Sequence, residues 1–266
     1  MMQREFYVNL PSNAKPVSGT PNTTAVFRVH LPQEIKLTGS YECALVEIML
    51  PHSWNNVNDT AITGEFNENE FDILSEKYGP YFVEIKADHY ATVEALVSAM
   101  NISHEDTLMR KRKLNYEGMP EEVLCSFNYD KERNRVFYKT KEPITAYLSE
   151  QLKYILGFSE RALDYSQFAK FPPDLRGGFD AIYIYCNIVE PQIVGDVKAP
   201  LLRILPVSGT YGEIIDRVFV HPHYVPVLTK EFSTIEISIK TDQNRPVPFN
   251  FGKTVVKLHF RRRSQL

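Results

Sequence analysis

The chain has 266 residues, of which 43 % are apolar, 24 % charged and 12 % aromatic, and its formal net charge is −3. That length suits one large β domain or two small ones, and the composition is apolar enough to bury a sizeable core. The near-balanced charge excludes a protein that coats nucleic acid by bulk positive charge.

The opening stretch "MMQREFYVNLP" has no apolar run of the kind a secretory signal needs, and no later run approaches the length of a membrane span. The first clear strand is "TAVFRVHL", with Ala25, Phe27, Val29 and Leu31 on one face and Arg28 and His30 on the other. In "YECALVEIMLP", Ala44, Val46, Ile48 and Leu50 share one face, and Cys43, Leu45, Glu47 and Met49 make the other a partly covered one. Trp54, the single tryptophan, follows at once in "LPHSWNNV". It reads either as a packing anchor at the end of a sandwich or as a hot spot between subunits.

"YFVEIKA" is a further alternating strand. "TVEALVSAMN" switches to helical spacing, with Val93, Leu96, Val97 and Met100 on one side and Thr92 as N-cap. The polar stretch from Asn101 to Glu122, which contains the basic run Arg110 to Lys113, reads as a long loop. "VLCSFNYD" and "RVFYKT" flank "KERN" as a hairpin, and "SEQLKYILGF" is a second short helix capped by Ser149 and stopped by Gly157. Ser166 to Gly178 reads as another long loop.

Ile182 to Val207 holds two apolar runs joined by "EPQIVGD". Ile182, Ile184, Cys186 and Ile188 fall on one face, Tyr183 and Tyr185 on the other. "VHPHY" places His221 and His223 two residues apart about a proline. The cleanest alternation comes last. Ile235, Ile237 and Ile239 oppose Glu236, Ser238 and Lys240, and Val256, Leu258 and Phe260 oppose Lys257, His259 and Arg261. Beyond Arg261 the apolar pattern stops.

Many strands, no alternation of strand and helix, and 17 prolines that often bound strands predict an all-β sandwich, barrel or jelly roll. The expected layout is one antiparallel β-sandwich domain over residues 1–266. Helix and loop excursions lie within it at 88–122 and 149–178, and residues 262–266 form a flexible basic tail.

Signals for chemistry are sparse. There is no G-x-S-x-G, no glycine-rich phosphate loop and no H-E-x-x-H. Cys43, Cys125 and Cys186 each sit in an apolar run at wide spacing and read as small buried thiols. A hydrolase would have to use Cys125 or the His221/His223 pair, and two histidines alone fall short of a metal site.

Five segments in order carry a resemblance. They are "FYVNLPSN" (Phe6 to Asn13), "LVEIMLPHSWNNV" (Leu45 to Val57), "YILGF" (Tyr154 to Phe158), "YCNIVEPQIVGDVKAPLLRILPV" and "RPVPFNFGKTVVKLHFRR" (Arg245 to Arg262). Together they resemble the minor capsid, or penton, protein of Maverick/Polinton elements, large virus-like DNA transposons of animals. The resemblance implies a single jelly roll. It implies a homopentamer that forms the capstone at each five-fold vertex of an icosahedral shell, beside a separate double-jelly-roll major capsid protein. It implies no catalytic residue, metal or cofactor. The setting it implies is a virion, with assembly inside the host cell, in nucleus or cytoplasm. On this reading Trp54, Tyr183, Tyr185, His221 and His223 are candidates for the subunit interface, and Arg261, Arg262 and Arg263 for contact with packaged DNA or the shell. The alternative is a carbohydrate- or receptor-binding jelly-roll module. That alternative predicts an exposed aromatic platform with nearby amides, for which "WNNVND" is the candidate stretch.

Overall fold

The computed structural model describes residues 5–16, 19–59, 68–114, 120–176 and 178–263. The chain divides into two compact units, Met1–Trp54 with Phe179–Leu266, and Asn55–Gly178. The first unit opens with β1 (Glu5–Pro11), β2 (Val26–Lys36) and β3 (Tyr41–Pro51). The second contains β4 (Glu70–Leu74), β5 (Tyr81–Glu84), α1 (Val93–Lys113), β6 (Cys125–Asp130), β7 (Arg135–Thr140), β8 (Thr145–Leu148), α2 (Glu150–Leu156), β9 (Ala162–Leu163) and β10 (Gln167–Phe168). The chain then returns to the first unit. There it forms β11 (Ala181–Cys186), β12 (Gln192–Val194), β13 (Val197–Ala199), β14 (Leu201–Pro206), β15 (Ile214–Val218), β16 (Val225–Pro226), β17 (Glu231–Thr241) and β18 (Val255–Arg262).

The first unit is a jelly roll. One sheet runs β1-β18-β3-β15, with the short β16 also on β3, and the other runs β14-β11-β17-β2. Counted in chain order without the short β12, β13 and β16, the eight principal strands therefore pair as 1-8-3-6 and 2-7-4-5, all antiparallel. That order is the double Greek key of a jelly roll. Its core lies between the sheets. Phe27, Ile182, Ile184, Ile235, Ile237 and Ile239 face Leu45, Ile48, Val256, Leu258 and Phe260, and the rings of Phe232 and Phe260 meet at 5.9 Å. Each such side chain contributes roughly 1.5–3 kcal/mol by leaving water.

The second unit lies, in sequence, between β3 and β11. Its strands form the sheets β5-β4-β8-β9 and β10-β7-β6. They share a separate core with α1 and α2, including Phe71, Val83, Leu96, Met100, Phe127, Tyr138 and Ile155. Both predicted caps are present. Thr92 Oγ1 accepts from the Ala95 N–H and Ser149 Oγ from the Leu152 N–H, while Gly157 closes α2 in the left-handed conformation. Asn101 on α1 reads the edge of β6. Its Nδ2 donates to the Phe127 carbonyl at 2.8 Å and its Oδ1 accepts the Phe127 N–H at 2.9 Å. Asn56 does the same to Tyr90, at 2.9 Å in both directions, and also donates to the Leu175 carbonyl at 3.1 Å.

Two expectations change. In β3 the pairing with β18 slips at Val46, because Lys257 opposes Glu47 while Leu258 opposes Leu45. This bulge flips the inward set from Cys43 and Leu45 to Ile48 and Leu50, all buried. A strict alternation through the strand is therefore wrong. The first helix is not short either. It runs 21 residues to Lys113, so more than half of the expected loop is helix and Arg110 to Lys113 form its last turn. Cations there complement the exposed carbonyls of the helix end. The segments 88–122 and 149–178, read from sequence as excursions from one body, both lie in the second unit.

Candidate functional site

Tyr183 and Tyr185 stand on the outer face of β11, opposite the buried Ile182, Ile184 and Cys186. Their ring planes are within 15° of parallel, with centroids 6.5 Å apart. The neighbouring strand β17 places Lys240 beside Tyr183 and Ser238 beside Tyr185. The Lys240 ammonium lies 5.5 Å from the Tyr185 ring and donates to Asn244 Oδ1 at 2.9 Å. One wall of the resulting groove is the ribbon β12–β13, which the sequence "EPQIVGD" reads only as a turn. Gly195, at φ 61°, makes its tight reversal. The groove has a volume of about 770 Å³.

The outer face of the other sheet carries a cluster absent from the sequence expectations. His259 is only 7 % exposed although it alternates with core residues. Tyr7 stacks on it at 4.4 Å, its Nδ1 lies 2.7 Å from the Tyr224 hydroxyl, and its Nε2 faces Glu5 at 3.5 Å. Arg261 lies over the Tyr224 ring at 3.4 Å and bonds Glu42 at 2.6 Å. Only the alternation of β18 hinted at it, since residues from four distant segments meet there.

The arginines are thus not a tail from residue 262 onward. Arg261 and Arg262 belong to β18, and the Arg263 N–H donates to the Ser40 carbonyl at 2.9 Å. Residues 264–266 of the expected tail lie outside the described residues. Trp54 is also placed differently from an interface residue. At 1 % exposure it is a core side chain, with His52 stacked on it at 4.0 Å and Phe179 and Phe249 against its rim. It presents no surface to a neighbour, and the "WNNVND" platform fails for the same reason, with Asn56 buried as well. His221 and His223 are exposed in a loop.

The edges of the sheets are unusual. Along and just after the edge strand β15, Ile214, Val218 and Val220 are 71 %, 67 % and 83 % exposed, and Ile204 projects from the edge strand β14. Open aliphatic edges are a liability that a lone soluble domain ordinarily blunts.

Nucleophile chemistry finds little support. Burial pushes the Cys125 thiol up to about 12, so it stays protonated, and burial pushes Cys43 and Cys186 upward as well. Among the described residues no group of three or more His, Cys, Asp or Glu side chains is placed to hold a metal ion. No helix of the described residues is long and apolar enough to cross a membrane.

No protein-family model and no curated protein matches the chain. Solved structures do match. The chain is similar in fold to the penton protein of mavirus, at TM-score 0.50 and 13 % identity over 97 % of this chain and 99 % of that one. With the same TM-score and identity it is similar to a chain of the Sputnik virophage, over 98 % of each. At such identity the likeness is one of fold, and it spans both units of the chain.

Proposed function

We propose that this protein is a structural subunit of an icosahedral virus-like capsid, a penton that assembles as a homopentamer at the five-fold vertices. The carrying observation is the end-to-end likeness of fold to a mavirus penton protein. The likeness includes the unit inserted between β3 and β11 as well as the widely shared jelly roll. The exposed aliphatics of β14 and β15 support the reading, because a ring closes through heterologous contacts that bury one flank of each copy against another. The expected neighbour is a double-jelly-roll major capsid protein, and the expected setting is a virion assembled within a host cell. The Maverick/Polinton affiliation belongs to this proposal too and rests on the five sequence segments. Tyr183, Tyr185, His221 and His223 remain exposed or half-exposed candidates for the interface. Of the three arginines, Arg262 and Arg263 are the candidates for packaged DNA or the shell, because Arg261 is already paired with Glu42.

The test is native mass spectrometry and negative-stain microscopy of the full chain, alone and after co-expression with a major capsid protein of the same element. Five-fold rings or vertex-bound pentamers are expected. A protein that stays monomeric in both settings overturns the reading.

A further inference from the structure

The groove above Tyr183 and Tyr185 is open in the single chain, and a ligand there would take these two rings out of the interface candidates, leaving His221 and His223. We infer that the groove binds a neutral oligosaccharide. The inference does not rest on the assembly proposal.

Two features of the groove point to this ligand class. The first is the pair of aromatic rings. The centroids are 6.5 Å apart and the planes nearly parallel, a loose offset arrangement at the long end of the range for aromatic pairs. The rings are a repeated pair that lines the groove on an otherwise polar sheet face, with the Lys240 ammonium over one of them. The faces of aromatic rings carry partial negative charge and attract the polarised C–H edges of a sugar ring. Two rungs two residues apart suit a ligand that repeats.

The second is the polar lining. Asn187, Ser238, Asp242 and Asn244 surround the rings, and the ribbon β12–β13 closes one side. Asn187 Oδ1 already accepts from the Glu236 N–H, Asn244 Oδ1 from the Lys240 ammonium and Asp242 Oδ2 from the Asp180 N–H, which leaves the two side-chain amide N–H groups and the Ser238 hydroxyl to meet vicinal hydroxyls. The charges cancel. Asp196, Glu236 and Asp242 are met by Lys198, Lys240 and the Arg28 guanidinium that bonds Glu236 at 2.5 Å. Lys240 is engaged with Asn244 and the face of Tyr185. No net field is left to draw an anionic glycan or a nucleic acid, so recognition must come from stacking and hydrogen bonds.

An aromatic pair with amides beside it, as a carbohydrate-binding module would use, is therefore supplied by Tyr183, Tyr185, Asn187 and Asn244 and not by the segment around Trp54. On a capsid surface such a groove would give the particle a sugar-dependent attachment point.

The experiment uses the full chain. Chitotetraose, maltotetraose, mannotriose and lactose serve as neutral probes, and 3′-sialyllactose and a heparin octasaccharide as acidic ones, read by saturation-transfer NMR and titration calorimetry. At least one neutral probe is expected to bind in the millimolar range or tighter, with an affinity unmoved by added salt. Tyr185→Phe should retain it and Tyr185→Ala should weaken it about tenfold or more, the equivalent of one lost stacking contact. If Tyr185→Ala does not fold, Ser238→Arg fills the groove from a solvent-facing position and should abolish binding. Silence from every neutral probe overturns the inference. So does binding confined to acidic probes, or binding that survives the groove variants. Pentamer formation by the same preparations reports on the assembly reading separately.

Discussion

The indole of Trp54 and the ring of Phe179 meet at 5.3 Å, tilted by 47°. One is the last residue of the first unit before the chain leaves it, and the other is the first residue after the chain returns. The pair therefore fastens together the two ends of an insertion of more than a hundred residues. His52 and Phe249 complete the clamp, and the Asn250 N–H donates to the Ser53 carbonyl at 3.0 Å beside it. The jelly roll can hold a large insertion because both crossings leave from one packed point.

Trp54→Ala should cost about 3–5 kcal/mol, the range for removing a large buried aromatic. Urea unfolding followed by far-UV circular dichroism measures it. A loss under about 1 kcal/mol would place Trp54 outside the core. Phe179→Leu, which keeps most of the volume, should cost less.

Register in β17 makes a paired prediction. Ile237 is fully buried and Glu236 faces solvent toward Arg28. Ile237→Asp puts an unpaired carboxylate between the sheets and costs several kcal/mol, a large part of a domain's stability. Glu236→Lys exchanges an exposed ion pair for a repulsion, worth less than about 1 kcal/mol. Soluble yield and melting temperature should separate the two variants sharply.

These strands were readable because their alternation is strict and one face is wet. Elsewhere the physics is non-local. The bulge at Val46 leaves no mark in β3 itself, since it is defined by where β18 pairs. The helix α1 hides its length because a histidine, His104, occupies a core position between Met100 and Leu108. The division after Trp54 has no glycine- or serine-rich linker to announce it. The His259 cluster draws on Glu5, Tyr7, Glu42 and Tyr224, which come together only through the jelly-roll order. The Tyr183 and Tyr185 face was legible as a face, but the groove above it was not, because its wall is a ribbon that the sequence presents as a turn.

His104 makes stability depend on pH. Burial pushes it down to about 4 from an ordinary value near 6.5, and its Nε2 lies 2.8 Å from the Tyr81 hydroxyl. A histidine depressed in the folded state takes up its proton first in the unfolded chain. Between pH 6.5 and 4 the unfolded chain therefore binds more protons, and stability falls as pH drops through that window, by about 3 kcal/mol when complete. Urea midpoints at pH 7 and pH 4.5 should show a larger drop for the native chain than for His104→Gln, which keeps a polar partner for Tyr81 and does not titrate. Equal drops would assign the pH dependence to other groups.

Gly157 ends α2 at φ 81°, and a Cβ there would run into the backbone carbonyl of Phe171. Gly157→Ala combines left-handed strain with a backbone clash and should cost more than about 2 kcal/mol. Gly79→Ala, at φ 72° with open space around it, pays the conformational strain alone and should cost about 1 kcal/mol. Thermal melts of the two variants give the difference.

The last prediction concerns the open flank of the first unit. Ile214, Val218 and Val220 spend their apolar area on solvent in the isolated chain, and β15 pairs with β3 on one side only among the described residues. Within a ring of copies the same residues would be covered by a neighbour, and the apolar area they expose would leave water. Val218→Lys places a charge on that flank without touching the core, because Ile215 is the strand's inward anchor. Its melting temperature as a monomer should match the native chain within a degree or two, since surface changes away from packed features are nearly neutral. Its self-association should weaken by at least about tenfold, the cost of one desolvated charge in an interface. Sedimentation velocity over a concentration series reads the association, and calorimetry reads the fold. A variant that associates as strongly as the native chain would remove β15 from the interface. Because a ring closes by setting one flank of each copy against a different flank of the next, that result would also remove the β14–β15 side from any ring contact and count against the assembly proposal.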